Sequence, residues 1–167
     1  MHKKMLLMFI ISCFTMSLSL SNADDYVIND YTFTWHVIQV GKVKLKIQKE
    51  EDRLTVVIGS FGGKLATLYL QPSYAKAIGE VLLKSEEYYQ KHLKSEERDQ
   101  KDSVQVGKYL VVFSSLTKGK DFEVRVRESK TFTFTSVLFS KDEAIKMAGH
   151  LVDAEKMAAL VEKQIRP

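Results

Sequence analysis

Val40-Gly41-Lys42 recurs 66 residues later as Val106-Gly107-Lys108, and the segments downstream of the two copies come in the same order. After the first copy come Leu54–Ile58 (LTVVI), Leu68–Leu70 (LYL), Gln71-Pro72 and the apolar segment Ala75–Leu83. After the second come Phe122–Val126 (FEVRV), Val137–Phe139 (VLF), Ser140-Lys141 and Ala144–Val152. The offset grows from 66 to 69, which hairpins longer by two or three residues would absorb. Few residues are identical, but the shared order of elements marks an internal duplication.

Periodicity fills in each copy. Tyr31–Gln39 sets Tyr31, Phe33, Trp35 and Val37 against Thr32, Thr34, His36 and Ile38. Lys42–Lys49 sets Val43, Leu45 and Ile47 against Lys42, Lys44 and Lys46. A period of two predicts half-buried strands. Arg53–Gly59 and Lys64–Leu70 complete the sheet around a Gly62-Gly63 hairpin signal. Pro72 suits the first position of a helix. Ala75, Ile78, Val81, Leu82 and Tyr89 share one helical face, with Glu87–Lys91 an i,i+4 pair on the other. In the second copy the strands are Tyr109–Ser114, Asp121–Glu128 and Thr131–Phe139. Ser140-Lys141-Asp142-Glu143 is a capping box opening a helix that should run from about residue 141 to near Gln164. The chain thus reads as α+β: two tandem repeats of an antiparallel β-sheet of three to four strands, each followed by one α-helix, with the helices packed on one face. The expected units are residues 24–93 and 104–167, joined by a charged linker at 94–103 and forming one compact domain.

Residues 1–23 read as a secretory signal peptide. Lys3 and Lys4 precede an uncharged run from Met5 to Leu20, and Ser21-Asn22-Ala23 offers small residues for cleavage. The alternative is a lipoprotein signal with Cys13 as the lipidated residue. The expectation is export, to the periplasm or the exterior. Of 25 Lys+Arg and 21 Asp+Glu in the 167 residues, removal of that segment leaves 23 against 21, a formal +2. That is too small for a histone-like electrostatic binder. The only cysteine is Cys13, so a mature chain has no disulfide, thiol nucleophile or thiolate metal site.

Catalytic motifs are absent. His36, His92 and His150 lie at no metal-binding spacing and read as isolated surface or boundary residues, and there is no G-x-S-x-G elbow. Gly59–Lys64 is glycine-rich but leads into a strand, so it is a turn and not a phosphate cradle. No catalytic residue, metal or cofactor is expected, and the chain is not read as an enzyme.

Two patterns suggest binding. Lys42, Lys44 and Lys46 share one strand face, and Arg125 and Arg127 share the matching face of the second unit, with Tyr69 as the main outward aromatic. The second unit is the more basic, with 11 Lys+Arg against 8 Asp+Glu. A face of Lys/Arg, Thr and Tyr can hold a flexible polyanion by phosphate contacts and stacking. Separately, Met147, Leu151, Ala154, Ala158, Val161 and Ile165 repeat at coiled-coil spacing. That seam packs on the first unit's helix within the chain, or serves a homodimer or another protein partner.

The order of strands then helix, duplicated in one chain, resembles the Whirly and Pur-alpha folds and the single-unit transcriptional positive cofactor family. The similarity lies in Val106-Gly107-Lys108-Tyr109, Phe122–Arg127 and Val137–Glu143, covering about residues 104–152, with an echo at 40–83. The resemblance implies single-stranded nucleic-acid binding on the β face, carried by Lys42, Lys44, Lys46, Arg125 and Arg127. The function expected is that of an exported non-enzymatic binding module for single-stranded nucleic acid. The alternative is a protein-interaction or structural component of the periplasm or secreted fraction, acting through the C-terminal seam or a sheet edge.

Overall fold

Alternating apolar residues draw each copy into a four-stranded antiparallel meander. In the computed structural model, which describes residues 31–61, 66–129 and 136–164, the first sheet comprises β1 (Thr32–Val40), β2 (Val43–Glu50), β3 (Arg53–Ser60) and β4 (Thr67–Leu70), in that order. Helices α1 (Pro72–Leu82) and α2 (Ser85–Lys94) come next. The second sheet repeats the order with β5 (Asp99–Val106), β6 (Tyr109–Leu116), β7 (Lys120–Glu128) and β8 (Ser136–Ser140), succeeded by α3 (Lys141–Leu151) and α4 (Ala154–Gln164). The expected signal peptide, the Gly62-Gly63 turn, Lys64, Thr131, Thr133, Thr135 and Ile165 lie outside the described residues.

The two halves correspond in register. Leu45 and Ile47 face Ile58 and Val56 across β2–β3, as Val111 and Phe113 face Val126 and Val124 across β6–β7. The offset is 66 at β2 and β6, 68 at β3 and β7, and 69 from β4 onward. Most of the extra length is therefore in the β6–β7 connection, where a 3₁₀ turn (Thr117–Gly119) replaces the tight Glu51-Asp52 turn.

Three expectations are corrected. Each sheet is followed by two helices, not one. The single helix expected from about 141 to 164 breaks at Val152-Asp153, and its counterpart breaks at Leu83-Lys84. No glycine or proline causes these breaks. In the first half, Ser85 donates its hydroxyl to the Leu82 carbonyl (2.6 Å), a side-chain bond that competes with the regular helical pattern. The second correction concerns the charged linker at 94–103. Helix α2 runs to Lys94 and β5 starts at Asp99, leaving only four residues between them. The strand was hidden because its inward residues Gln100 and Asp102 are polar, satisfied by α2 rather than by apolar packing. Third, Lys91 pairs with Asp102 (2.6 Å) and not with Glu87.

The breaks turn each helix pair across the molecule. α1 lies on β3 and β4 of its own sheet, while α2 packs on β6, β7 and the 3₁₀ turn of the other. Reciprocally, α3 lies on β7 and β8, and α4 packs on β3 of the first sheet. The halves are intertwined around a single core that takes side chains from both, including Leu45, Ile58, Ile78, Phe113, Val124 and Met147. α1 and α3 cross at Gly79, where a Cβ would come within 2.8 Å of the Leu151 Cβ. The two β-turn glycines lock the exchange. Gly41 (φ +55) abuts Glu143 at the start of α3, and Gly107 (φ +56) abuts Tyr74 in α1. Both need glycine for the positive φ and for the close approach. Glu143 also completes the expected capping box, accepting from the Ser140 amide (2.9 Å) while the Ser140 hydroxyl accepts from the Glu143 amide.

Candidate nucleic-acid interface

On the first sheet, the residues facing away from the helices fall into cross-strand rows. His36, Lys46, Val57 and Tyr69 form one row, Gln39, Lys44, Gly59 and Thr67 the next, and Thr34, Gln48 and Thr55 a third. These rows carry Lys44 and Lys46 and no carboxylate. The first acid on this face, Glu50, stands at the strand end opposite Arg53. Among the described residues Lys42, Lys44 and Lys46 make no ion pair, and Lys44 Nζ stands 4.6 Å from the Phe61 ring centre. Tyr69 is 60% exposed, and at two strand spacings its row places it about 10 Å from Lys46. Lys42 lies in the β1–β2 turn at the rim of the same face.

The matching face of the second sheet differs. Arg125 and Arg127 project from β7 as expected, but Arg125 is held by Glu123 on its own strand (2.6 Å). Leu110, Val112 and Leu138 occupy much of the remaining face by register. The five basic residues therefore belong to two faces, and the less compensated group is in the first sheet. Two lysines of the second unit are also paired. Lys108 binds Glu128, and Lys141 binds Glu86. Those hydrogen bonds raise the Lys108 and Lys141 ammonium pKa values, and the Lys141 contact lowers that of Glu86.

The described part of the helical seam is turned toward the chain's own interior. Met147, Leu151, Ala154, Ala158 and Val161 are all buried within the chain, where α3 and α4 pack on α1 and on the first sheet. The reading of this seam as a docking surface is corrected, because its 4-3-4 spacing serves the exchange of helices between halves.

Sequence reasoning also missed a buried cluster. His92, 1% exposed and neither isolated nor at the surface, places Nδ1 2.8 Å from Ser115 Oγ and Nε2 3.0 Å from Asp102 Oδ2. Lys91 takes the other oxygen of Asp102 (2.6 Å), and Gln100 donates to the His92 carbonyl (3.1 Å). Burial raises the Asp102 pKa, but the hydrogen bonds from Lys91 and His92 outweigh it and leave the carboxyl below its ordinary value. Serine, histidine and aspartate also build hydrolytic triads. Here they lie beneath α2 and stitch it to β5 and β6. No spacing rule links residues 92, 102 and 115, so no sequence signal revealed them.

A cleft of about 760 Å³ opens beside Tyr69, between the β2–β3 turn, the start of α1 and α4. Arg53, Leu54, Pro72, Ala158 and Glu162 are among the residues that line it. It too was invisible in the sequence, because its walls come from three separate segments.

Among the described residues no cluster of His, Cys, Asp or Glu could hold a metal, and no helix is long and apolar enough to cross a membrane. No protein-family model matches the chain, and no curated protein is significantly similar to it.

Proposed function

We propose that the chain is an exported, non-enzymatic binding module that holds single-stranded nucleic acid on the outer face of its first sheet. The observation that carries this reading is the carboxylate-free set of rows bearing Lys44 and Lys46, with Lys42 at the rim and Tyr69 exposed beside them. Lysines supply phosphate contacts, the tyrosine supplies a stacking surface, and the sheet spaces them on the scale of a nucleotide. A duplex presents its bases to neither. The resemblance to the Whirly, Pur-alpha and positive cofactor folds points the same way. The test is fluorescence anisotropy with labelled single-stranded DNA, RNA and duplex DNA across a salt series. Three lysine–phosphate contacts predict a slope of log affinity against log salt of about −2. Lys44→Glu with Lys46→Glu should abolish binding, and Tyr69→Ala should weaken it by about tenfold. Salt-insensitive binding, or equal affinity for duplex, contradicts the reading.

A second reading rests on β1, an edge strand among the described residues, with Phe33 exposed on it and Tyr31 exposed just before it. An uncharged edge of this kind can accept a strand from a protein partner or a second copy. Phe33→Lys should then abolish any self-association or partner capture, and a strict monomer that captures nothing contradicts this reading.

A further inference from the structure

The cleft beside Tyr69 has a counterpart in the second half, and there it is filled. At the offset of 69, Ala158 corresponds to Tyr89, Glu162 to Leu93 and Pro72 to Lys141, and at the offset of 68 Leu54 corresponds to Phe122. In the second half the Tyr89 ring packs edge-on against Phe122, with centroids 5.4 Å apart, and carries Lys141 Nζ 4.8 Å from its centre. Leu93 and Tyr89 together support Gly119 of the 3₁₀ turn. In the first half Ala158 and Glu162 leave that volume empty, and the shorter β2–β3 turn does not close over it. The cleft is therefore missing an aromatic ring.

We infer that this cleft receives a nucleobase from a single strand bound across the first sheet. The inference rests on the proposed function and names where a base is read. Tyr69 belongs both to the Lys46 row and to the wall of the cleft, so a strand leaving Lys46 arrives at its mouth. Leu54, Pro72 and the exposed Ala159 offer apolar surface to a flat ring, above the buried Leu70 and Ala158. The charged groups lining it are Asp52, Glu155 and Glu162 against Arg53, three carboxylates to one guanidinium. Glu155 is engaged by Lys76 (2.9 Å), whereas Glu162 makes no ion pair among the described residues. Carboxylates repel phosphate but accept hydrogen bonds from exocyclic amino groups. The base goes in and the phosphate stays outside on lysine. Cytosine and adenine, which carry amino groups, are favoured over uracil and thymine, which do not.

The test uses the protein with two kinds of probe. In NMR titrations, cytidine and adenosine monophosphate should shift Leu54, Ala158 and Ala159 at least fivefold more tightly than uridine monophosphate. Ala158→Phe, which restores the ring of the second half, should remove those shifts. Ala159→Phe, from an exposed position on the same wall, keeps the test open if Ala158→Phe does not fold. In anisotropy, either variant should reduce the preference for oligo-dC over oligo-dT to none and leave the salt slope unchanged. Equal shifts from all three nucleotides, or shifts elsewhere, overturn the inference. So does occupancy by tryptophan amide with no nucleotide response, which assigns the cleft to a peptide. Strand binding that depends on Lys44 and Lys46 but ignores both cleft variants overturns the inference and leaves the proposed function standing. Nucleotides in the cleft without strand binding overturn the proposed function and, with it, the bound strand as the source of the base.

Discussion

The same layer of the two halves is built from opposite materials. In the second half, His92 reaches from α2 to Ser115 and Asp102, Gln100 caps the end of the helix, and Tyr89 fills the space beside Phe122. By register, the first half places Lys49 where the second has Ser115, Trp35 where it has Asp102, and Phe33 where it has Gln100. Val161 stands at the position of His92 and Ala158 at that of Tyr89. Polar hydrogen bonds and a large ring seal one half. The other keeps half-exposed aromatics on its edge strand and an open cleft under α4. One scaffold thus carries a closed interior and an open one, and the proposed binding surfaces lie on the open side.

The largest way to break this comparison is to open the closed half. Tyr89→Ala should remove the Phe122 and Lys141 contacts and cost up to about 3 kcal/mol in chemical denaturation, the low end for a ring because Tyr89 is only partly buried. A loss below about 1 kcal/mol would mean that the ring does not seal that layer. Next come the two glycines that lock the exchange of helices. Gly41→Ala and Gly107→Ala should each cost about 2 kcal/mol, because each forces a side chain into the left-handed region and against the opposite half. Equal losses support equivalent roles, and a tolerated change at either position would break the symmetry of the lock.

Smaller effects sharpen the account. Asp102 has a folded-state pKa below its unfolded one, so its contribution is present above the unfolded value and is lost as pH falls through the folded one. Stability should decline below about pH 4, and Asp102→Asn should flatten that decline while costing about 1–2 kcal/mol at neutral pH. An unchanged acid limb in the variant would contradict the assignment. At the small end, Lys76→Met removes an exposed, solvent-screened pair with Glu155 and should leave the denaturation midpoint where it is.

The repeat, the strand alternation and the capping box were legible because apolar side chains on a regular period report directly on backbone geometry. β5 was not, since its inward residues are Gln100 and Asp102, and polar inward residues look like a linker until their partners in α2 are in place. The helical seam was legible as a pattern but not as a destination. Met147 to Val161 must pack on something, and only the break at Val152-Asp153 decides that it is the other half. Of the candidate interface, Lys44, Lys46 and Tyr69 were found by alternation alone. Glu123, two residues before Arg125 on β7, shares its face by the same alternation, so the neighbour was legible and only the closed ion pair was not. The cleft depends on a ring that is absent, and an absence becomes visible only when the two halves are laid over each other.

The most direct test of the central claim sets the two sheet faces against each other. Anisotropy with single-stranded DNA would be measured for the Lys44→Glu/Lys46→Glu pair and for the Arg125→Glu/Arg127→Glu pair, which change the net charge equally. Binding lost in the first pair and kept within about threefold in the second is the predicted result, because a shared net charge acts on both alike while local contacts act on one. Loss confined to the arginine pair, or equal loss in both, would contradict it.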